Sequence, residues 1–192
     1  FYTHKPQNQI LSGLVGSELC IRDRLENAVR NVSNFPKEGI QFKDITPVLS
    51  NARLLDGCIS HLVGKHSVDT VDVVAGIDAR GFIFGAAMAR ELSVGFVPIR
   101  KKGKLPWDTH EESYDLEYGS NTIAIHKDAI AEGQRVLLVD DLLATGGTAA
   151  AAVNLISRTG GKLIETVFFI ELDFLGGRSK LVDVPVRSLL KY

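Results

Sequence analysis

One stretch in the second half of the chain, Val136–Thr148, constrains the fold more than any other part of the sequence. It begins with four consecutive apolar residues, Val136–Val139, a pattern typical of a strand buried on both faces of a parallel sheet. Two carboxylates follow, Asp140 and Asp141, and then a short loop of Thr and Gly leads into the helix-favouring run Ala149–Ile156. Strand, loop and helix in this order predict an α/β fold, in which ligands bind at the carboxyl ends of the strands.

The loop between this strand and this helix suits a phosphate monoester. Ala144–Thr148 supplies hydroxyls, small residues and backbone N–H groups directed toward a helix N-terminus. The paired aspartates would repel phosphate, and they suit instead the hydroxyl groups of a ribose, which donate hydrogen bonds. Together these features predict a site for a ribose phosphate such as 5-phosphoribosyl-1-pyrophosphate (PRPP). A generic turn between strand and helix, as in receiver domains, is the alternative, and the complete string Asp140–Thr148 argues against it.

A second turn with glycines at both ends, Gly76–Gly81, follows another predicted strand, Val71–Ala75. Its backbone N–H groups can hold a second anion, and Arg80 can add a charge-assisted hydrogen bond. A glycine-rich turn alone is usually only a turn. Beside a ribose phosphate site it suits the pyrophosphate that PRPP carries on the far side of its ribose.

Composition excludes several other classes of protein. The chain has 192 residues, enough for one domain with a substantial core, and its net charge of -1 gives no reason to expect a nucleic-acid or membrane-surface partner. No apolar run approaches the roughly 20 residues that a membrane-spanning helix needs. Cys20 and Cys58 have neither disulfide nor metal-ligand spacing, which favours a reducing, cytoplasmic location.

Apolar periodicity predicts the remaining elements. Strands alternate with helices, so we expect a mainly parallel, twisted sheet flanked by helices, with right-handed crossovers. Residues 101–116 are polar and contain Gly103 and Pro106, which predicts a long loop able to close as a lid. The tail after residue 172 is expected to hold one short helical piece. The other predicted helices span 22–32, 51–66, 81–92 and 149–159, and the other predicted strands span 94–99, 122–125 and 164–172.

Four motifs in order along the chain resemble the type I phosphoribosyltransferases. They are the block Phe35–Pro47, the turn Gly76–Phe82, the segment Ser113–Gly119 and the string Asp140–Thr148. The first and third are similar to the adenine-specific branch of that family. The resemblance implies a single phosphoribosyltransferase domain over residues 24–192. Residues 1–23 do not match, and we expect a leader, a non-native remnant or a weakly ordered arm there.

This resemblance implies a type I phosphoribosyltransferase fold with a small hood formed by the N-terminal segment. The implied reaction is a purine salvage step that converts adenine and PRPP to AMP and pyrophosphate in a homodimer. The implied cofactor is Mg²⁺, held through substrate and water near Asp140 and Asp141 with no direct protein ligand. Two alternatives stay open: a PRPP-binding regulator without turnover, and an oxopurine phosphoribosyltransferase.

The resemblance also implies roles for individual residues. Glu117 is the acid or base near the imidazole edge of the purine, and Asp140 and Asp141 take the ribose hydroxyls. Arg80 lines the base pocket, and Lys104, in the basic run after the predicted strand 94–99, is expected to contact the pyrophosphate. A non-proline cis peptide is implied near Asp78-Ala79. The other implied contacts are Gln41, Phe42, Lys43 and Tyr118 to the base, Asp78, Ala79 and Arg100 (from the same or a partner subunit) to pyrophosphate, and Ala144, Thr145, Gly146, Gly147 and Thr148 to the 5′-phosphate.

Overall fold

A computed structural model describes residues 21–115 and 119–192 of the chain. The chain divides into two compact units, Phe1–Cys58 and Ile59–Tyr192. No helix among the described residues is long and apolar enough to cross a membrane.

The first unit consists of short elements. Residues 21–28 are helical (α1), and β1 (Arg30–Ser33) pairs antiparallel with β2 (Gln41–Asp44). The short helix α2 (Thr46–Leu49) has proline in its first turn, and α3 (Ala52–Val63) crosses the boundary between the units. The helix predicted to reach Val32 ends at residue 28, because the following residues pair with β2 instead.

The second unit is built on a seven-stranded sheet in the order β5-β6-β4-β3-β7-β8-β9. Neighbouring strands from β4 to β9 in this order are parallel, and β6 and β5 extend the sheet antiparallel beyond β4. The predicted mainly parallel sheet flanked by helices is therefore confirmed. The strands are β3 (Val73–Ile77), β4 (Gly95–Lys101), β5 (Thr109–Asp115), β6 (Ser120–His126), β7 (Arg135–Leu143), β8 (Lys162–Glu171) and β9 (Val186–Lys191), the helices are α4 (Gly81–Leu92) and α5 (Gly147–Arg158), and the 3-10 turns are Asp173–Leu175 and Gly177–Lys180.

Alternation of side chains along the central strands assigns one helix to each face of the sheet. Ala75 and Leu138 pack in one apolar cluster with α5. On the other face α4 approaches closely, since a Cβ built on Gly85 would lie 2.6 Å from Cε2 of Phe96 and 3.1 Å from Cγ1 of Val139. The core of the unit thus fills both sides of β3 and β7.

The register of β3 and β7 determines where the two glycine-containing turns lie. Gly76 is paired with Val139, so the two parallel strands end side by side at the same edge of the sheet. The turn after β3 leads into α4 and the turn after β7 leads into α5. Both predicted anion-binding turns therefore lie next to each other.

Two expectations about polar segments are wrong within the described residues. Within the segment predicted as a loop at 101–116, residues Thr109–Asp115 form strand β5, whose register with β6 runs from Thr109↔His126 to Asp115↔Ser120. Backbone pairing to one neighbour is enough to order an edge strand with few apolar side chains. The tail contains two 3-10 turns and β9, where the sequence predicted one helical piece.

Candidate active site

The carboxyl ends of β3 and β7 open into a cavity of about 430 Å³. Asp78, Ala79 and Arg80 line it from the turn after β3, and Asp140 and Asp141 line it from β7. Because residues far apart in sequence surround one space, this cavity is the candidate active site. Ala144 and Thr148 extend the lining into the loop that begins α5.

An ion pair between Arg80 and Asp141 connects the two turns. Nε of Arg80 donates to Oδ2 of Asp141, which is only 8% exposed. Arg80 itself directly precedes α4, and it is half-exposed toward the cavity. The guanidinium therefore stands between the two predicted anion sites, with one face still open to solvent.

Asp140, the neighbour of Asp141, has a pKa that is governed by burial and by the charges around it. β7 continues through both aspartates to Leu143, four residues beyond the apolar strand predicted over Val136–Val139. Burial of the Asp140 carboxyl raises its pKa, the negative charge of Asp141 raises it further, and the nearby guanidinium of Arg80 opposes both. Oδ1 of Asp140 also accepts a hydrogen bond from the backbone N–H of Asp141, at 2.8 Å. A cation or hydroxyl donors at this point would stabilise the ionised form of the pair.

The loop after β7 forms a separate recess of about 70 Å³ that all five residues of Ala144–Thr148 line. Gly146 has φ +78°, a conformation that glycine adopts without steric penalty, and α5 begins at the next residue. The first-turn N–H groups of α5 therefore face the recess, as expected for an anion site at a helix N-terminus. Thr148 lines both the recess and the larger cavity, so the two are contiguous.

The turn after β3 has the features that the resemblance implies. The Asp78-Ala79 peptide bond is cis, which confirms that expectation. The N–H of Asp78 donates to the carbonyl of Ile99 at 2.8 Å, and its carboxylate accepts from Nε of Arg100 at 3.4 Å. Arg100 thus lies beside this turn within its own chain.

The structure does not bring Lys104 to the cavity. Lys104 is exposed in the turn after β4, and its carbonyl accepts a hydrogen bond from Nη1 of Arg100 at 3.1 Å. Lys101, at the end of β4, lines the cavity instead. The basic run of residues 100–104 is therefore near the site, and the side chain that reaches the cavity is a different one.

Two lining residues, Tyr114 and Asn121, come from the β5–β6 hairpin, and neither is among the predicted site residues. Tyr114 and Asn121 both line the cavity, and they occupy the same register pair of the hairpin. The Tyr114 ring also packs against the start of α5, since a Cβ on Gly147 would lie 3.2 Å from Cδ2 of Tyr114. Tyr114 belongs to the motif Ser113–Gly119, which could have indicated it, whereas nothing in the sequence indicated Asn121.

The remaining predicted site residues are either outside the described residues or in the first unit. Glu117 and Tyr118 fall outside the described residues. Gln41, Phe42 and Lys43 belong to β2 of the first unit, where the rings of Phe42 and Phe35 meet edge to face at 5.1 Å. Burial lowers the pKa of Lys43.

Comparison with known proteins gives a consistent family. The model of the phosphoribosyl transferase domain family matches residues 45–186. The adenine phosphoribosyltransferase of Maricaulis maris is 51% identical over 170 residues, which is 88% of this chain and 97% of that protein. The corresponding protein of a Cyanothece species is 54% identical over 168 residues, 88% of this chain and 99% of its own.

Solved structures agree with the sequence matches. Adenine phosphoribosyltransferase from Rhodothermus marinus superposes with a TM-score of 0.86 at 48% identity, covering 91% of this chain and 99% of its own. The Saccharomyces cerevisiae protein, complexed with an imino-altritol bisphosphate and adenine, has a TM-score of 0.82 at 40% identity and covers 89% of this chain and 99% of its own.

Proposed function

The chain belongs to the adenine phosphoribosyltransferases, and from that premise we propose which of its residues carry out the transfer. The reaction converts adenine and PRPP to AMP and pyrophosphate, a purine salvage step. The observation that supports the assignment of residues is the shared cavity at the ends of β3 and β7. Two anion-binding turns flank a pair of carboxylates there, and PRPP has the same sequence of groups: phosphate, diol and pyrophosphate.

We assign the 5′-phosphate of PRPP to the recess of Ala144–Thr148. The support is the helix N-terminus behind the loop, which favours a phosphate both by its N–H groups and by its dipole. Asp140 and Asp141 accept hydrogen bonds from the two ribose hydroxyls at the adjoining end of the cavity. The pyrophosphate lies at the turn Asp78–Arg80, with Arg100 and a lysine of the basic run beside it.

These assignments give a mechanism by positioning and electrostatics. The bond from ribose C1 to the pyrophosphate oxygen breaks as the adenine N9 forms its bond to C1, so positive charge develops on the ribose. The carboxylates of Asp140 and Asp141 stabilise that charge, and Arg80 stabilises the negative charge on the leaving pyrophosphate. Glu117 takes the proton that adenine loses, and Gln41, Phe42, Lys43 and Tyr118 bind the base.

Mg²⁺ fits this site as an ion carried mainly by the substrate. The described residues contain no grouping of three or more His, Cys, Asp or Glu side chains that could hold a metal ion. Asp140 and Asp141 would hold Mg²⁺ through water, and a cation would relieve the repulsion that raises the pKa of Asp140. When bound, the ion would neutralise negative charge on the pyrophosphate.

We also propose a homodimer and a cytoplasmic location. Ile83, 43% exposed in the first turn of α4, offers apolar surface next to the pyrophosphate turn, where a second copy can pack. Cys58 is free and buried, which suits a reducing compartment. Sedimentation of the purified protein measures the first proposal directly.

The experiment that tests the function offers adenine, hypoxanthine, guanine and xanthine in parallel, each with PRPP and Mg²⁺. We expect AMP from adenine and no turnover of the three oxopurines. Turnover of an oxopurine would keep the mechanism and refute the assignment of the base pocket. Binding of PRPP without turnover of any base would identify a regulator instead of an enzyme.

A further inference from the structure

Gly177 lies against the backbone of the loop that we assign to the 5′-phosphate. It is buried, and a Cβ built on it would fall well inside 3 Å of the Ala144 carbonyl oxygen and 2.8 Å from the N atom of Gly146. The approach is reciprocal, because a Cβ on Gly146 would lie 3.1 Å from the Cα of Gly177. Backbone atoms cannot swing aside as a flexible side chain can. The loop and the turn therefore hold these positions only while both residues are glycine.

Arg178, the next residue, is anchored to two strands. Its Nε and Nη2 atoms donate to the carboxylate of Glu171 at 2.9 and 2.6 Å, and Nη1 donates to the carbonyl of Val186 at 2.7 Å. Glu171 is 2% exposed and also accepts from the hydroxyl of Ser188. This buried, bidentate pair fixes the turn Gly177–Lys180 to the ends of β8 and β9.

The same framework carries the phosphate loop. Glu171 is paired with Leu143 in the register of β7 and β8, and the N–H of Leu172 donates to the Leu143 carbonyl at 2.9 Å. Leu143 is the residue before the loop. Leu181, just after the turn, is buried in one apolar cluster with Leu143 and with Ala149 of α5. The turn and the loop are therefore held by the same two features: the hydrogen-bonded ends of β7 and β8, and this apolar cluster.

We propose that the turn Gly177–Lys180 is a rigid backing for the phosphate loop, and that Gly177 and Arg178 are positioning residues for the 5′-phosphate of the substrate. The proposal rests on the assignment of that phosphate to Ala144–Thr148. Neither residue lines the recess or the cavity. They act by holding the loop N–H groups in the direction that a phosphate requires, so that little order has to be gained on binding.

A pair of neighbouring glycines provides a matched test. Gly177→Ala adds a methyl group against the loop backbone, whereas Gly176→Ala adds the same group where nothing lies within 4 Å. The probe is ribose 5-phosphate, whose dissociation constant is measured by calorimetry. We expect Gly177→Ala to weaken its binding about tenfold or more, and Gly176→Ala to change it less than about twofold despite a φ of +63°. Equal effects of the two substitutions would overturn the proposal.

Arg178 supplies a second test that does not add bulk at the loop. We expect Arg178→Ala to raise KM for PRPP about three- to tenfold and to leave KM for adenine within about twofold. Arg178→Lys should restore little, because one ammonium cannot reproduce the fork of hydrogen bonds. If both variants melt at a lower temperature yet bind ribose 5-phosphate normally while folded, the anchor is purely structural and the proposal is wrong.

The same measurements separate this proposal from the enzymatic function. A wild-type protein that binds ribose 5-phosphate but turns over no base would refute the function, and the glycine pair would still test the backing. A wild-type protein that does not bind ribose 5-phosphate would overturn the phosphate assignment and the backing together.

Discussion

Asp141 has two partners to satisfy with a single carboxylate: the guanidinium of Arg80 and, in our proposal, a ribose hydroxyl. Its carboxylate is mostly buried and accepts a hydrogen bond from Arg80. In our proposal, the pyrophosphate gives Arg80 a second anion, so that the charge on Asp141 becomes more available to the ribose. The pair would then couple binding of the leaving group to stabilisation of the developing charge.

Asp141→Asn is the substitution that tests this role. The amide has the same shape, so the fold should persist, but it lacks the charge that balances Arg80 and the oxocarbenium-like ribose. We expect kcat/KM for PRPP to fall about 100-fold or more. Steady-state kinetics measure the loss, and circular dichroism checks the fold.

Asp72→Asn is the matched control for that experiment. Asp72 also pairs with an arginine, Arg135, at 2.6 Å, but it lies before the opposite, amino-terminal end of β3. Its replacement should leave activity within about twofold, because Asp72 does not line the cavity. An Asp141→Asn enzyme that keeps a third or more of its activity would remove the ribose assignment.

Among individual residues, the sequence predicted the kind of charged group at the site better than it predicted which side chain supplies the group. Asp140 and Asp141 follow an apolar strand in the sequence and line the cavity in the structure. The basic run, in contrast, contains three lysines, and the pattern of charges does not tell which one points inward. Lys101 reaches the cavity because β4 extends that far, a fact that depends on pairing with β6.

Some helices and strands could be predicted from the sequence and others could not. β7 and α5 were predictable because a run of apolar residues and a run of alanines each favour one structure strongly. β5 was not, since its residues are polar and its order comes from pairing with β6, a partner distant from the local pattern. β1 and β2 have four residues each, too few for a period to be visible.

The close packing of α4 on the sheet gives a prediction about stability. Gly85→Ala would place a methyl group 2.6 Å from the ring of Phe96, and the strain should exceed the gain in helix propensity. We expect a net loss of about 1–2 kcal/mol in the free energy of unfolding, measured by denaturant titration.

Phe96→Leu serves as the partner substitution in a double-mutant cycle. If contact with the Phe96 ring causes the strain, Gly85→Ala should lower the free energy of unfolding clearly less in the Phe96→Leu background than in the wild-type background. Equal losses in both backgrounds would place the strain elsewhere on α4.

For the molecule as a whole, Glu171 makes the free energy of unfolding depend on pH in the acidic range. Hydrogen bonds from Arg178 lower its pKa from 4.5 to about 2, and those from Ser188 contribute in the same direction. Because the pKa is lower in the folded state, the stabilisation is complete above pH about 4.5 and is lost as the pH falls toward about 2. The shift corresponds to about 3 kcal/mol.

Denaturant titrations from pH 7 to pH 2 measure this contribution. Glu171→Gln should lower stability at pH 7 by about 2–3 kcal/mol and flatten the loss of stability below pH 5. A variant with the wild-type slope in acid would show that other carboxylates, such as Asp72, govern the transition.

The division of the chain at Cys58 bears on our assignment of the two substrates. The residues that we assign to PRPP within the described part of the chain lie in Ile59–Tyr192. The residues that we assign to the base come from both sides of Cys58, since Gln41, Phe42 and Lys43 precede it and Glu117 and Tyr118 follow it.

The turn behind the phosphate loop has a consequence for the order of events on the ribosome. The loop Ala144–Thr148 is synthesised and leaves the exit tunnel before Gly177, Arg178 and the strand β9 that completes their anchor. A nascent chain that already displays the loop still lacks the turn that we propose as its backing. On that proposal, full affinity for the sugar phosphate is acquired only after Gly177, Arg178 and β9 have also emerged, so substrate cannot stabilise the chain fully before that point.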